Sequence, residues 1–232
     1  MSRLFIGAVA LTVFASPALA REECGYPSIA VEDNDTQLAR VLVAKARFID
    51  ETDRSMKAFV VKGDELLVGG TDGGFVCATF INSRGVSTSG WLKQDDVALR
   101  VSDVPPIKAW FGDWTAGEYQ NLTIKRGSKK GWLAVSGEAY WAANDEAARN
   151  GGIHEGGVGG EAPLESGMVG FTQTEDGSYQ PYSETAGDDY KCAIRLRLVG
   201  TAYLAAEDSR SCGGANVSFW GYYARGKVEF DP

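Results

Sequence analysis

The chain contains a single histidine, His154, and two carboxylates follow it closely in the sequence, Glu155 and Glu161. An imidazole beside a carboxylate can transfer protons near neutral pH, and both groups can bind a metal ion. The surrounding segment, 151–161, is rich in glycine, which predicts a loop whose backbone can approach a ligand closely. Catalysis, ligand contact and a purely structural hydrogen bond are therefore three open interpretations of His154.

Other chemistry-bearing patterns are missing from the sequence. It contains neither a Gly-x-Ser-x-Gly nucleophile elbow nor a Gly-x-Gly-x-x-Gly phosphate cradle. One histidine without thiolate ligands makes a poor zinc site, because zinc is held by three or four protein ligands. We therefore expect a non-catalytic protein without a metal or cofactor. The alternative is a cell-wall hydrolase that uses His154 with a nearby carboxylate.

The four cysteines are Cys24, Cys77, Cys192 and Cys212. An even number of cysteines in an exported chain predicts disulfides, and four cysteines allow three pairings. Two lie in the N-terminal part and two in the C-terminal part, so we expect Cys24 to pair with Cys77 and Cys192 with Cys212. This pairing leaves no free thiol for catalysis.

The N-terminus has the pattern of a cleavable secretory signal peptide. Arg3 precedes an apolar run, Leu4–Ala15, and Pro17 is followed by Ala18-Leu19-Ala20, which places small residues at −3 and −1 of a cleavage site. The run is too short to span a bilayer, which takes about 20 residues. We expect cleavage before Arg21, a periplasmic or secreted location, and no membrane insertion after cleavage.

The net charge of −8 limits the possible partners. Nucleic-acid binding requires a basic face, so we expect no nucleic-acid partner. An acidic surface can instead attract a cationic partner through long-range electrostatic steering.

Aromatic and β-branched runs between glycine-rich turns predict an all-β protein. The expected N-terminal strands are Lys57–Val61, Glu65–Val68, Phe75–Ile81, Val86–Leu92 and Val97–Val101. The expected C-terminal strands are Asn121–Lys125, Trp132–Trp141, Met168–Thr172, Tyr190–Val199, Tyr203–Glu207 and Val217–Arg225. Only Thr36–Ala44 and Ala142–Arg149 favour short helices. Consecutive prolines, Pro105 and Pro106, interrupt any strand ladder, so we divide the mature chain into domains 21–103 and 104–232.

The first domain resembles a bacterial SH3 domain. The resemblance rests on Ala58-Phe59-Val60-Val61-Lys62-Gly63-Asp64, Phe75-Val76-Cys77-Ala78 and Gly90-Trp91-Leu92, and covers about residues 38–101. It implies a small barrel capped by Trp91, with a groove near Trp91 that binds a peptide or a peptidoglycan fragment. The second domain is expected to be a larger antiparallel barrel of lipocalin-like size, with an aromatic-rich core.

The second domain also resembles a family of exported proteobacterial β-barrel proteins. The resemblance rests on Cys212-Gly213-Gly214-Ala215-Asn216-Val217-Ser218-Phe219 and on His154-Glu155-Gly156 upstream. It supports the periplasm in particular, and some members of this family are grouped with periplasmic lysozyme inhibitors.

The run Ser136-Gly137-Glu138-Ala139-Tyr140 is similar to the Ser-Gly-x-x-Tyr motif of periplasmic c-type lysozyme inhibitors. In those inhibitors the segment enters the lysozyme active site, which implies that Ser136 and Tyr140 contact a cationic lysozyme. The alternative is an ordinary barrel strand.

We therefore expect an exported binding protein of the cell envelope. Its expected partners are peptidoglycan or an envelope protein, a cationic lysozyme among them. The candidate ligand-binding residues are Trp91, Ser136, Tyr140, His154, Glu155 and Glu161.

Overall fold

The computed structural model describes residues 21–25, 27, 31, 37–100, 104–117 and 119–229. The predicted signal peptide and the boundary residues Ser102 and Asp103 lie outside the described residues. Within the described residues, the chain is almost entirely β, as the sequence predicts. No helix among them is long and apolar enough to cross a membrane.

Seven antiparallel strands form the first sheet, which we call the N-terminal sheet. They are β1 (Gln37–Val41), β2 (Lys45–Ile49), β3 (Ser55–Val61), β4 (Glu65–Asp72), β5 (Phe75–Ile81), β6 (Ser87–Lys93) and β7 (Val97–Arg100). Their spatial order is β3-β2-β6-β5-β4-β1-β7, and the sheet curls into half a barrel. Its concave face buries an apolar core that includes Phe48, Leu66 and Leu92.

The prediction of a helix over Thr36–Ala44 is wrong, because this segment contains β1. The strand pairs with β4 on one side and β7 on the other. Leu38 faces the second half of the protein, whereas Ala39 and Val41 face the core of the N-terminal sheet. Apart from the exposed Arg40, the residues Leu38–Val41 are buried on both faces of the strand, and a short apolar run of this kind does not distinguish a strand from a buried helix.

Eight antiparallel strands and one short helix form the second unit, which we call the C-terminal barrel. They are β8 (Gly112–Thr115), β9 (Gln120–Arg126), β10 (Trp132–Ala142), α1 (Asp145–Arg149), β11 (Ile153–Pro163), β12 (Met168–Thr172), β13 (Ala193–Val199), β14 (Tyr203–Asp208) and β15 (Gly221–Arg225). The order β11-β10-β9-β8-β15-β14-β13-β12 leaves a seam between β11 and β12, so the barrel is nearly closed. The helix begins after Asn144, whose side chain accepts a hydrogen bond from the Ala147 amide (2.8 Å).

Large side chains fill the interior of the barrel. Trp110, Trp114, Phe171, Phe219 and Tyr223 are all nearly inaccessible to solvent and pack in one apolar cluster with the inward residues of the strands. Along β10 the buried and accessible positions alternate as the sequence predicts, because successive strand residues point to opposite faces. The described residues of the interior therefore form a packed core.

Both predicted disulfides are confirmed. Cys24 is bonded to Cys77 and Cys192 to Cys212, and no described cysteine is free. The first disulfide joins the segment 21–25 to β5, and the second joins the residue before β13 to the loop before β15. Each bond lies within one half of the protein, which fits the division of the chain at the two prolines.

A third apolar cluster joins the two halves, and we call it the shared cluster. It consists of Leu38, Leu67 and Ile81 from the N-terminal sheet, Val199, Tyr203, Ala205, Tyr222 and Ala224 from the barrel, and Val31. The Tyr203 hydroxyl donates a hydrogen bond to the Glu65 carbonyl across this contact. The N-terminal sheet thus covers part of the outer face of β13, β14 and β15, whereas Ser136, Glu138 and Glu155 on the outer face of β10 and β11 stay exposed.

Glycines bring the two backbones into close contact beside the shared cluster. Gly85 has a φ of +74°, and a Cβ on it would overlap the backbone of Ala116 and Gly117. Gly200 has a φ of +60°, and a Cβ there would overlap the Leu38 side chain. Side chains larger than hydrogen at these positions would separate the two halves.

We predict that Leu67→Ala destabilises both halves together, by about 2–5 kcal/mol, because it opens a cavity in the shared cluster. Urea unfolding followed by tryptophan fluorescence measures this loss. The barrel contains five of the six tryptophans, so the signal reports mainly on the half that does not contain Leu67. Leu42→Ala is the matched control, since Leu42 is 48% exposed. An unchanged fluorescence transition in Leu67→Ala would show that the halves unfold independently.

Candidate functional site

The predicted loop around His154 is a strand, so that prediction is wrong. Residues Ile153–Pro163 form β11, paired along its whole length with β10. Packing requires glycine at two of these positions, Gly156 and Gly160. A Cβ on Gly156 would overlap the Cys212 carbonyl oxygen, and a Cβ on Gly160 would lie 2.5 Å from Phe171. The glycine pattern therefore reflects neighbours that are distant in the sequence.

His154 has a structural environment at the end of the barrel. It lies opposite Trp141 in the β10–β11 register, and the two rings are 5.3 Å apart between centroids. Its Nδ1 atom is 2.5 Å from the Ala215 carbonyl oxygen. Gly214 lies directly against the histidine side chain. These contacts tie β11 to the loop that contains Cys212, and they account for the presence of a histidine here.

The structure does not bring Glu155 or Glu161 to the side of the strand that carries His154. Both carboxylates are an odd number of residues from His154, so in a regular strand they point to the opposite face. Glu155 lies opposite Tyr140, and Glu161 accepts hydrogen bonds from the Ser128 amide (2.9 Å) and hydroxyl (2.6 Å). These bonds from Ser128 lower the pKa of Glu161. The predicted histidine–carboxylate pairs are therefore not assembled.

Ser136, Glu138, Tyr140 and Glu155 share the open outer face of the barrel, and we call this surface the acidic face. The Tyr140 hydroxyl donates to Glu138 Oε2 at 3.3 Å. Desolvation raises the pKa of Tyr140, and the nearby charges of Glu138 and Glu155 raise it further. Because β10 is hydrogen-bonded to both β9 and β11, its backbone here is held within the sheet and does not project as a loop.

Trp91 is buried beneath the chain's own N-terminal segment. Its side chain is only 4% exposed, and its indole N–H donates to the Glu22 carbonyl (3.1 Å). The Arg21 guanidinium lies 3.8 Å from the centre of the Phe75 ring and 5.8 Å from that of Trp91. Trp91 therefore forms a wall and does not offer an open stacking surface.

A groove of about 360 Å³ nevertheless lies beside Trp91, and we call it the β2–β6 groove. It is lined by Lys45, Ala46, Arg47, Ile49, Phe75, Trp91, Lys93 and Asp96. Strands β2 and β6 are in register at Ile49 and Trp91, and the groove extends from that pair towards Lys45 and Lys93. It combines three cations with one carboxylate on a chain whose net charge is −8.

Sequence reasoning identified Trp91 but missed the cations that line the groove. The sequence does contain a pattern that could have revealed two of these cations. In Lys45-Ala46-Arg47-Phe48, the cations alternate with residues that are buried in the structure. This alternation is typical of a half-buried strand. Lys93 lies on β6, which is far from β2 in the sequence. It comes close to Lys45 and Arg47 because β6 is the neighbour of β2 in the sheet.

Among the described residues, no three metal-ligating side chains form a cluster. Comparisons with protein-family models, curated proteins and solved structures found no match to this chain. The candidate sites are therefore judged on their geometry and charge.

We predict that Glu138→Gln lowers the pKa of Tyr140 towards its ordinary value, because the change removes a negative charge and replaces a carboxylate acceptor with a weaker, neutral amide acceptor. Glu155→Gln should lower it less, since Glu155 acts through its charge alone. Ultraviolet titration of tyrosinate, taken as the difference from Tyr140→Phe, measures the shift. Glu146→Gln on α1 is the control. An unchanged Tyr140 pKa in Glu138→Gln would contradict the described acidic face.

Proposed function

We propose that the protein is a non-catalytic binding protein of the cell envelope and that its β2–β6 groove takes an extended peptide with free carboxylates. The peptide stems of peptidoglycan have this chemistry. The observation that carries the proposal is the groove itself, in which cations stand above an apolar floor. Acid–base catalysis has weaker support, because His154 points away from Glu155 and Glu161.

Charge complementarity supports an anionic occupant. Lys45 Nζ lies 3.9 Å from the centre of the Phe59 ring, and the Arg47 guanidinium makes only long contacts of 3.5 Å to the backbone carbonyls of Met56 and Lys57. Lys93 is exposed. A bound carboxylate would replace these weak contacts with charge-assisted hydrogen bonds.

The shape of the groove supports an extended backbone. The groove follows two neighbouring strands, and a peptide lying along them would place alternate side chains towards Ile49 and Phe75. The volume of about 360 Å³ is near the lower end for ligand sites, so it would take a few residues of a peptide.

The disulfides support an oxidising compartment, where such bonds persist. We infer that this compartment is the periplasm or the exterior of the cell. An exported protein can reach peptidoglycan in this compartment. The carboxylates of a peptidoglycan peptide would account for a basic groove on an acidic chain without a nucleic-acid partner.

The acidic face supports a second candidate function, the inhibition of a cationic lysozyme. Glu138 and Glu155 are exposed and flank Tyr140, and nearby Gly157 and Gly159 leave room for a partner to approach the backbone. The Ser136–Tyr140 segment is a strand paired on both sides, so it would meet the lysozyme as part of a surface and would not insert as a loop.

We predict that the triple variant Lys45→Ala, Arg47→Ala, Lys93→Ala binds a disaccharide-tetrapeptide fragment of peptidoglycan at least tenfold more weakly than the wild type. Isothermal titration calorimetry measures the affinity, and co-sedimentation with purified sacculi tests the polymer. The matched control is Lys57→Ala, Lys62→Ala, Arg84→Ala, which removes the same charge from exposed positions on the same half. Equal binding by both variants, or no binding by the wild type, would refute the proposal.

For the second candidate, we predict that the charge reversals Glu138→Lys and Glu155→Lys abolish the capture of a basic c-type lysozyme at low salt. Tyr140→Ala should weaken it. Glu146→Lys with Glu175→Lys reverses the same charge at exposed sites elsewhere on the barrel and should leave capture unchanged. Capture, and the hydrolysis of suspended cells by the lysozyme, are measured together. A wild type that neither binds nor inhibits the lysozyme ends this candidate.

A further inference from the structure

The β9–β10 hairpin carries a second groove, at the other half of the molecule from the β2–β6 groove. It has a volume of about 340 Å³ and is lined by Ile107, Phe111, Arg126, Gly127, Ser128, Lys129, Lys130, Gly131 and Trp132. We call it the hairpin groove. It combines three cations with the rings of Phe111 and Trp132, and neither the sequence motifs nor the proposed function involves it.

The cations of the hairpin groove are available to a ligand. Arg126, Lys129 and Lys130 are exposed, and none of them forms an ion pair with another described residue. Lys129 Nζ instead lies 4.2 Å from the centre of the Trp132 ring. The charge of Lys129 acts on Glu161, but the two hydrogen bonds from Ser128 already engage that carboxylate.

The walls of the groove are held in place before any ligand binds. Glu161 fixes the turn through Ser128, and the Gly127 amide donates to the Trp132 carbonyl (2.9 Å). Tyr179 packs edge-to-face with Trp132 at a centroid distance of 5.1 Å. A site whose side chains are already ordered loses less conformational entropy on binding.

We propose that the hairpin groove binds an acidic saccharide. A sugar ring would pack against Trp132 in the place of the flexible Lys129 side chain, and the carboxylate of the sugar would pair with Lys129, Lys130 and Arg126. The Ser128 hydroxyl donates to Glu161, and its oxygen can still accept a hydrogen bond from a sugar hydroxyl. An acyl chain fits less well, because the groove is open and its apolar wall consists of only Ile107, Phe111 and Trp132.

The test titrates the full mature chain with trigalacturonic acid in a calorimeter, with maltotriose as the neutral saccharide and inorganic phosphate as the anion without a ring. The acidic trisaccharide should bind and maltotriose should not bind measurably. Lys129→Ala with Lys130→Ala should weaken binding about tenfold, which fits two exposed charge contacts. Lys57→Ala with Lys62→Ala is the matched control.

Trp132→Leu should weaken binding at least fivefold, whereas Trp220→Leu, at an aromatic that is 42% exposed elsewhere, should not. If Trp132→Leu loses its native circular dichroism, Tyr179→Ala replaces it as the variant that loosens the aromatic wall. The triple variant of the β2–β6 groove should bind the acidic trisaccharide with full affinity. A failure of saccharide binding in the hairpin groove is thus distinguishable from a failure of peptide binding in the β2–β6 groove.

Three outcomes would overturn the saccharide site. Phosphate that binds as tightly as the trisaccharide would show an anion site without sugar recognition. Equal weakening by the Lys57 and Lys62 control would show a general charge effect. Binding to phosphatidylglycerol vesicles but not to the trisaccharide would show a lipid surface as the occupant.

Discussion

The interior of the C-terminal barrel is filled with side chains, and this constraint determines where any function of the protein can reside. Trp110, Trp114 and Phe219 occupy the space in which a ligand-binding barrel would hold its cargo. Strand geometry then divides the remaining residues between two faces. The outward-pointing set, which includes Glu138, Tyr140 and Glu155, can meet a partner, whereas His154 points towards the residues that close the end of the barrel. The binding sites that we propose accordingly lie on the outer surface, in two grooves beside strands.

The shared cluster restricts the outer surfaces further. Leu38 and Leu67 of the N-terminal sheet pack in one cluster with Tyr203 of the barrel. This contact buries part of the outer face of β13 to β15. Three candidate surfaces are accessible among the described residues, and they differ in charge. The β2–β6 groove and the hairpin groove are basic, and the acidic face between β10 and β11 is negative. Both basic grooves place cations beside aromatic rings on an acidic chain, which is the feature that our two proposals share.

Features set by local spacing could be predicted from the sequence. The alternation along β10 and the two disulfide pairings needed only the period of a strand and the division of the chain into halves. Features set by distant neighbours could not. The glycines of β11 indicated a loop, because nothing nearby in the sequence reveals that Phe171 and Cys212 press against them. The β1 segment indicated a helix, because both of its faces are buried by strands far along the chain. A groove near Trp91 was expected, but the cations that line it were missed for the same reason, since Arg47 and Lys93 come together only through the sheet order.

Peptide binding in the β2–β6 groove can be mapped residue by residue. Nuclear magnetic resonance of the labelled mature chain, titrated with a disaccharide-tetrapeptide fragment, follows every backbone amide at once. We predict that the shifts concentrate at Lys45–Ile49 and around Lys93, with the amides of β10 and β11 unchanged. Shifts centred on His154 and Tyr140, or none at saturating fragment, would contradict the account.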